Sequence, residues 1–137
     1  MNLLYLQQAF TILLSKFIKF GLVGFSGVFV DFSVTWLLKE RFKVQQYVSN
    51  AAGFMTAAST NYVLNRIWTF QSTNPNVAFE YGEFILISII GLAINTTILW
   101  LLVSRLKLNF YVSKIIAIGI VTLWNFAANL AFTFNGV

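Results

Sequence analysis

Apolar and polar positions in this chain fall into long blocks rather than alternating residue by residue. Four apolar blocks cover residues 20–38, 47–68, 84–103 and 111–132. The third, "FILISIIGLAINTTILWLLV", carries no charge. A helix rises about 1.5 Å per residue, so each block can cross roughly 30 Å of hydrocarbon. Only helices and closed barrels satisfy their own backbone there, and the alternating segments of about ten residues that mark barrel strands are absent. The pattern predicts four transmembrane helices. Short basic links, "KERFKVQQ" at 39–46 and "SRLKLNF" at 104–110, join the blocks in pairs. A polar segment at 71–81, which holds the only proline, Pro75, divides one pair from the other.

The first twenty residues, "MNLLYLQQAFTILLSKFIKF", read poorly as a signal peptide, with no basic start and no small-residue cleavage site. Gln7, Thr11, Ser15 and Lys19 recur every four residues and form one polar stripe. An interfacial amphipathic helix over 1–15 and a plain extension of the first span both fit.

Composition agrees with the block pattern. The chain is 58% hydrophobic and 9% charged, with a mean hydropathy of +0.78. Soluble domains carry about 25% charged residues, and a 15.5 kDa soluble domain could not hide this much apolar surface. No Cys or His is present, which removes thiol nucleophiles, disulfides, His bases and Cys/His metal sites. No catalytic constellation stands out, so the chain reads as a non-enzyme without cofactor. The net charge of +5 comes from cations flanking apolar blocks, which suits anionic lipid headgroups rather than nucleic acid.

The chain also repeats itself. "NYVLNRIWTF" at 61–70 returns as "NFAANLAFTF" at 125–134. Laying residues 16–70 over 80–134 without a gap gives 15 identities in 55 positions. They include Gly27 with Gly91, Arg41 and Lys43 with Arg105 and Lys107, Ser49 with Ser113, Asn61 and Asn65 with Asn125 and Asn129, and Thr69 with Thr133. Apolar bias explains matches among Leu, Val and Phe, but not polar residues in register. Each copy holds two spans and so begins and ends on one side, which makes the repeats parallel. The expected fold is a single all-α integral membrane domain, 1–137, built as two tandem parallel helical hairpins.

Polar groups inside the blocks are the candidate chemistry. Asp31 lies about 10 Å inside the first span at helical rise. A carboxylate there costs at least a few kcal/mol unless paired, protonated or wet. It reads either as a proton-coupling or substrate-contacting acid, or as a neutral group bonded to a neighbouring helix. Its repeat equivalent is Asn95. Asn61, Asn65 and Thr69 share one helix face, as do Asn125, Asn129 and Thr133. Each stripe reads as interhelical glue or as the lining of a polar path. Lys16, Lys19 and Arg66 gather at one edge as a basic pocket suited to phosphate. Their equivalents are Glu80, Glu83 and Leu130, so the acids could instead neutralise the lysines. Gly21, Gly24 and Gly27 form a strip where a helix could pack closely. Trp36, Tyr47, Trp68, Trp100 and Tyr111 near span ends suit an aromatic belt.

These phrases, "LVGFSGVFVD" with "NYVLNRIWTF" and "GLAINTTILWLLV" with "WNFAANLAFTF", resemble the GtrA-like family of small four-helix bacterial membrane proteins over about residues 16–134. The resemblance implies translocation of polyprenyl-phosphate-linked sugar across the bacterial cytoplasmic membrane for cell-surface polysaccharide glycosylation. It carries over Asp31, Asn61, Asn65, Arg66 and Trp68 from the first half, and Asn95, Asn125 and Asn129 from the second. Two features depart from the family pattern: Leu130 replaces a basic residue, and the middle loop carries Glu80 without Lys or Arg. The resemblance also implies cytoplasmic termini. The cation count runs the other way: Lys16, Lys19 and Arg66 against Lys39, Arg41, Lys43, Arg105, Lys107 and Lys114. The expected function is a flippase in which Lys19 and Arg66 recruit phosphate while the Asn stripes and Asp31 meet sugar hydroxyls. Two rivals are a proton-coupled exporter using Asp31 and a non-transporting subunit that docks a glycosyltransferase. Four helices make a thin wall around a path, so a homodimer is expected.

Overall fold

The computed structural model describes residues 2–135. Four helices run in order, α1 Leu3–Trp36, α2 Gln46–Leu64, α3 Val77–Trp100 and α4 Phe110–Ala128. Each continues into a five-residue π-helical turn, at Leu37–Arg41, Asn65–Thr69, Leu101–Arg105 and Asn129–Thr133 respectively. The described residues contain no strand.

Local chemistry explains the boundaries. Side-chain oxygens accept from otherwise unpaired amides at each helix start: Asn2 from Leu4, Gln45 from Tyr47 and Val48, Asn76 from Phe79, and Asn109 from Tyr111 and Val112. Three of the ends turn through a left-handed residue, Lys43 (φ 57°), Gln71 (φ 47°) and Lys107 (φ 58°). The next amide then reaches back to a helix carbonyl, as from Val44 to Leu38 at 2.9 Å and from Leu108 to Leu102 at 3.0 Å. A side chain in this region costs roughly 1–2 kcal/mol, and glycine gives back roughly half of that through unfolded-state entropy. Lys43→Gly and Lys107→Gly are therefore each expected to raise stability by about 0.5–1 kcal/mol, read as a higher unfolding midpoint in detergent.

Three helical stretches are long and apolar enough to cross a membrane, Leu3–Arg41, Val77–Arg105 and Phe110–Thr133. The molecule is a membrane protein, but by this measure three such helices lie among the described residues rather than the expected four. Helix α2 matches α4 in length at 19 residues. It differs in carrying Asn50, Thr56, Ser59, Thr60 and Asn61, which dilute its apolar content.

The N-terminal arm and the first block form one continuous helix of 34 residues. No glycine or proline precedes Gly21 to break it. At about 1.5 Å per residue this helix is about 51 Å long, well beyond the hydrocarbon thickness. Side chains from Asn2 to Ser15 are exposed.

Helix α1 packs along α2, α3 packs along α4 less closely, α2 meets α3, and α1 touches α4 least. Phe20, Ala58, Tyr62, Phe70, Phe84 and Phe134 form an apolar core at the end of the bundle opposite the basic links. The rings of Phe70 and Phe134 stack there, with centroids 4.3 Å apart and planes at 9°. Helix α2 and its π turn begin and end 64 residues before α4 and its π turn (46 to 110, 69 to 133).

The glycine strip departs from its expected role. Only Gly27 is packed, against the Asn61 side chain. A Cβ at Gly21 or Gly24 would meet nothing within 4 Å. The close approach of α1 and α2 lies instead at Gly53, where a Cβ would press into the Thr35 hydroxyl and the Asp31 backbone and carboxylate.

Candidate functional site

Helical spacing sets four polar faces inward. Gly27, Asp31 and Thr35 follow at i, i+4 and i+8 on α1, and Gly91 and Asn95 repeat that step on α3. Ser49, Asn50 and Gly53 share a face on α2, as do Ser113, Lys114 and Ala117 on α4, and all six are buried.

At the centre each helix contributes one residue. Lys114 Nζ lies 2.8 Å from Asp31 Oδ1 and donates to Asn50 Oδ1 at 2.6 Å. Asn50 Nδ2 in turn donates to Asn95 Oδ1 at 3.1 Å. The Thr35 hydroxyl lies 3.2 Å from Asp31 Oδ1 and 3.3 Å from the Ser49 carbonyl. Lys114, Asn50 and Asn95 are 0% exposed and Asp31 is 4% exposed. A pair this deep holds its charges only because each neutralises the other and nearby amides and hydroxyls solvate them.

A cavity of about 60 Å³ adjoins this network. Its polar lining is Asp31, Asn61, Ser88, Thr122 and Asn125. The space and the polar partners suit a few waters or a small polar group. The buried atoms Asn125 Oδ1, Asn95 Nδ2 and Ser113 Oγ have no hydrogen-bond partner.

The two Asn stripes divide by depth. Asn61 and Asn125 line the cavity. Asn65 and Asn129 are 1% and 0% exposed, and each accepts at 2.7 Å from the threonine four residues on, Thr69 or Thr133. Asn129 also donates to the Asn125 carbonyl at 2.7 Å. This outer pair is bonded within its own helix ends, where the π turns widen the backbone. None of the four asparagines is exposed.

The basic edge differs from the expected open phosphate pocket. Arg66 is ion-paired with Glu80 and also donates to the Asn74 carbonyl at 2.8 Å and to Ser72 Oγ at 3.3 Å. Glu80, 1% exposed, also accepts from the Tyr62 hydroxyl at 3.1 Å and from Ser72. Arg66 thus ties the middle loop to the bundle, and Glu80 neutralises it. Lys19 Nζ sits 5.5 Å from the centre of the exposed Trp68 ring. Asp31, Asn61, Asn95 and Asn125 gather around the network and cavity, while Lys19, Arg66 and Trp68 stand apart at the rim.

Sequence reasoning missed Lys114 and Asn50. Lys114 stands among the link-side cations in sequence, yet its ammonium is buried in the ion pair, which leaves three cations against five. A signal for both was present. Lys114 precedes Asn125 by eleven residues and Asn50 precedes Asn61 by eleven, three helical turns on the same face.

No individual curated protein matches this chain. The model of the family described as GtrA/DPMS, transmembrane domain, matches residues 19–134, nearly all of the bundle, and the chain belongs to that family.

Proposed function

We propose that this protein is a flippase for polyprenyl-phosphate-linked sugar, acting in the bacterial cytoplasmic membrane to supply cell-surface polysaccharide glycosylation. The family match supports the substrate class. The observation that carries the reading is the Asp31–Lys114 pair beside a small cavity to which Asn61, Ser88, Thr122 and Asn125 present polar groups, in a bundle with an apolar exterior. A sugar-phosphate headgroup cannot cross bare hydrocarbon, because its charge and hydroxyls lose their water. Here Lys114 supplies the counter-charge for the phosphate, and Asp31 balances Lys114 while no headgroup is bound. Asn61 and Asn125 serve the sugar hydroxyls once the helices part, because the cavity of about 60 Å³ is too small for a hexose as it stands. Lys19 beside Trp68 holds the rim, and Arg66 secures the middle loop. No covalent step is needed, so the protein is neither an enzyme nor a cofactor carrier.

In this reading α2 crosses the membrane with the other helices, and the hairpins 16–70 and 80–134 are parallel copies of one unit. The shared element bounds support it, as do the Phe70–Phe134 stack and the contact between Asn50 and Lys114, which lie 64 residues apart. The wall around the path is one helix thick, so the working form is a homodimer. Cross-linking in native membranes that traps only monomers would remove the dimer.

The test uses pure protein in liposomes that contain a labelled polyprenyl-phosphate hexose, with headgroup accessibility followed over time. Wild type equilibrates the label between leaflets. The charge-free variant Asp31→Asn/Lys114→Gln slows it tenfold or more, about 1.4 kcal/mol of barrier. Wild-type liposomes no faster than protein-free ones would overturn the reading. The buried acid also suits a proton-coupled exporter. That alternative predicts that Asp31→Asn alone abolishes transport driven by a pH gradient while leaving gradient-free lipid exchange at zero throughout. A glycosyltransferase-docking subunit predicts no exchange from any variant.

A further inference from the structure

We propose that the seam between α1 and α4 is the lateral passage through which a single-tailed lipid phosphate reaches Lys114, with its tail lying in a groove on that seam. The inference rests on the flippase reading and specifies how its substrate is held.

Two open apolar grooves face outward at the end of the bundle that carries the basic links. One lies between α1 and α4, about 700 Å³, lined by Phe32, Ser33, Trp36, Leu37 and Tyr111. The other, about 610 Å³, runs along α3 beside Tyr47 and includes Thr96, Thr97 and Trp100. They are counterparts at an offset of 64 residues: Ser33 with Thr97, Trp36 with Trp100, and Tyr111 with Tyr47. What lies behind them differs. Lys114 Nζ is 5.2 Å from the centre of the Phe32 ring, so a cation sits against the wall of the α1/α4 groove. A second cation, Lys39, lies 5.4 Å from the Tyr111 ring, but it is paired at 2.8 Å with Glu40, which also accepts from the Tyr111 hydroxyl. At the counterpart positions Thr96 replaces Phe32 and Asn50 replaces Lys114. An anionic head with an apolar tail therefore finds a buried ammonium behind the wall of one groove only, where it can take the place of Asp31 as the partner of Lys114.

The seam is also the loose one. Helices α1 and α4 have the least contact of the adjacent pairs. Gly24 on α1 borders the polar cavity and has open space where a Cβ would point, and Thr122 and Asn125 border the cavity from α4. A head moving along the seam past Phe32 thus reaches Lys114, Asp31 and the unpartnered Asn125 oxygen while the tail stays in lipid.

Because the chain has no cysteine, it allows a clean matched comparison of Ser33→Cys and Thr97→Cys, both exposed and each in one groove. Alkylation by an apolar maleimide is timed in micelles with polyprenyl monophosphate, with the uncharged polyprenol, or with inorganic phosphate. At a lipid concentration about ten times its Kd, polyprenyl monophosphate should slow labelling of Ser33→Cys about tenfold. Thr97→Cys should be unaffected, and neither polyprenol nor inorganic phosphate should protect. Adding Asp31→Asn and Lys114→Gln to Ser33→Cys should erase the protection. Equal protection of both cysteines, equal protection by polyprenol, or protection by inorganic phosphate alone would overturn the proposal. No protection in protein that still exchanges lipid in liposomes would sink the passage and spare the flippase. Selective protection in protein that never exchanges lipid would do the reverse.

Discussion

Asp31→Asn and Lys114→Gln, made singly, are each expected to destabilise the bundle by about 3–5 kcal/mol, because each leaves an uncompensated charge in the interior. Made together they should recover most of that loss, since neutral amides can bond to one another and to Asn50. Unfolding midpoints in detergent provide the measurement, and the double-mutant cycle should return a coupling of more than about 3 kcal/mol. Strictly additive losses would mean that the two side chains do not hold each other. The effect is large because the pair has no alternative solvent: both residues are almost fully buried, and the neighbouring Thr35, Asn50 and Ser49 groups are already engaged. Stability and transport separate here. The double variant is the folded form without the counter-charge, and for that reason it is the informative variant in liposomes.

Gly53→Ala carries the second large effect. A single methyl there has no free volume, because it would meet the Thr35 hydroxyl, the Asp31 carbonyl and the Asp31 carboxylate together. Helices α1 and α2 would have to separate, and overpacking of this kind costs about 1–3 kcal/mol. The shift would also disturb the Thr35 and Lys114 contacts of Asp31, so the variant should behave partly like Asp31→Asn. Gly24→Ala offers the contrast. Its Cβ meets nothing within 4 Å, and replacing a mid-helix glycine should gain about 0.5–1 kcal/mol. If Gly53→Ala proved as stable as Gly24→Ala in the same unfolding assay, the close α1–α2 approach would be wrong. The position 64 residues after Gly53 is Ala117, and α3 and α4 do pack less closely than α1 and α2.

Much of the architecture was legible in the residues alone. Block length and apolarity specify helices in a membrane, and the polar links mark where they stop. Asn76 and Asn109 announce helix starts within two or three residues of the amides they cap. These features are local, so a hydropathy pattern and a capping rule suffice to find them. The same locality misled elsewhere. Gly21, Gly24 and Gly27 look alike in spacing, but only Gly27 meets a neighbour. Polar residues dilute α2 without sharing one environment: Asn50 is buried while Thr56 and Thr60 are exposed, a difference that composition does not carry and that only the eleven-residue step from Asn50 to Asn61 hints at.

The candidate site shows the division most clearly. The residues themselves determined that an acid and six asparagines lie within apolar blocks, where hydrocarbon forces them inward or into pairs. Only the tertiary structure decided the partners. Asp31 meets Lys114 across 83 residues of chain, and Asn50 meets Asn95 across 45. Arg66, which reads as an open cation, is closed by Glu80 fourteen residues on, across a turn whose path no periodicity specifies. A lysine one turn inside a helix beside a basic link has the sequence appearance of an interface anchor. Whether its ammonium reaches outward to headgroups or inward to a carboxylate depends on how two distant helices are rotated about their axes. That rotation is set by the packing of all four helices together, which no single stretch of the chain encodes.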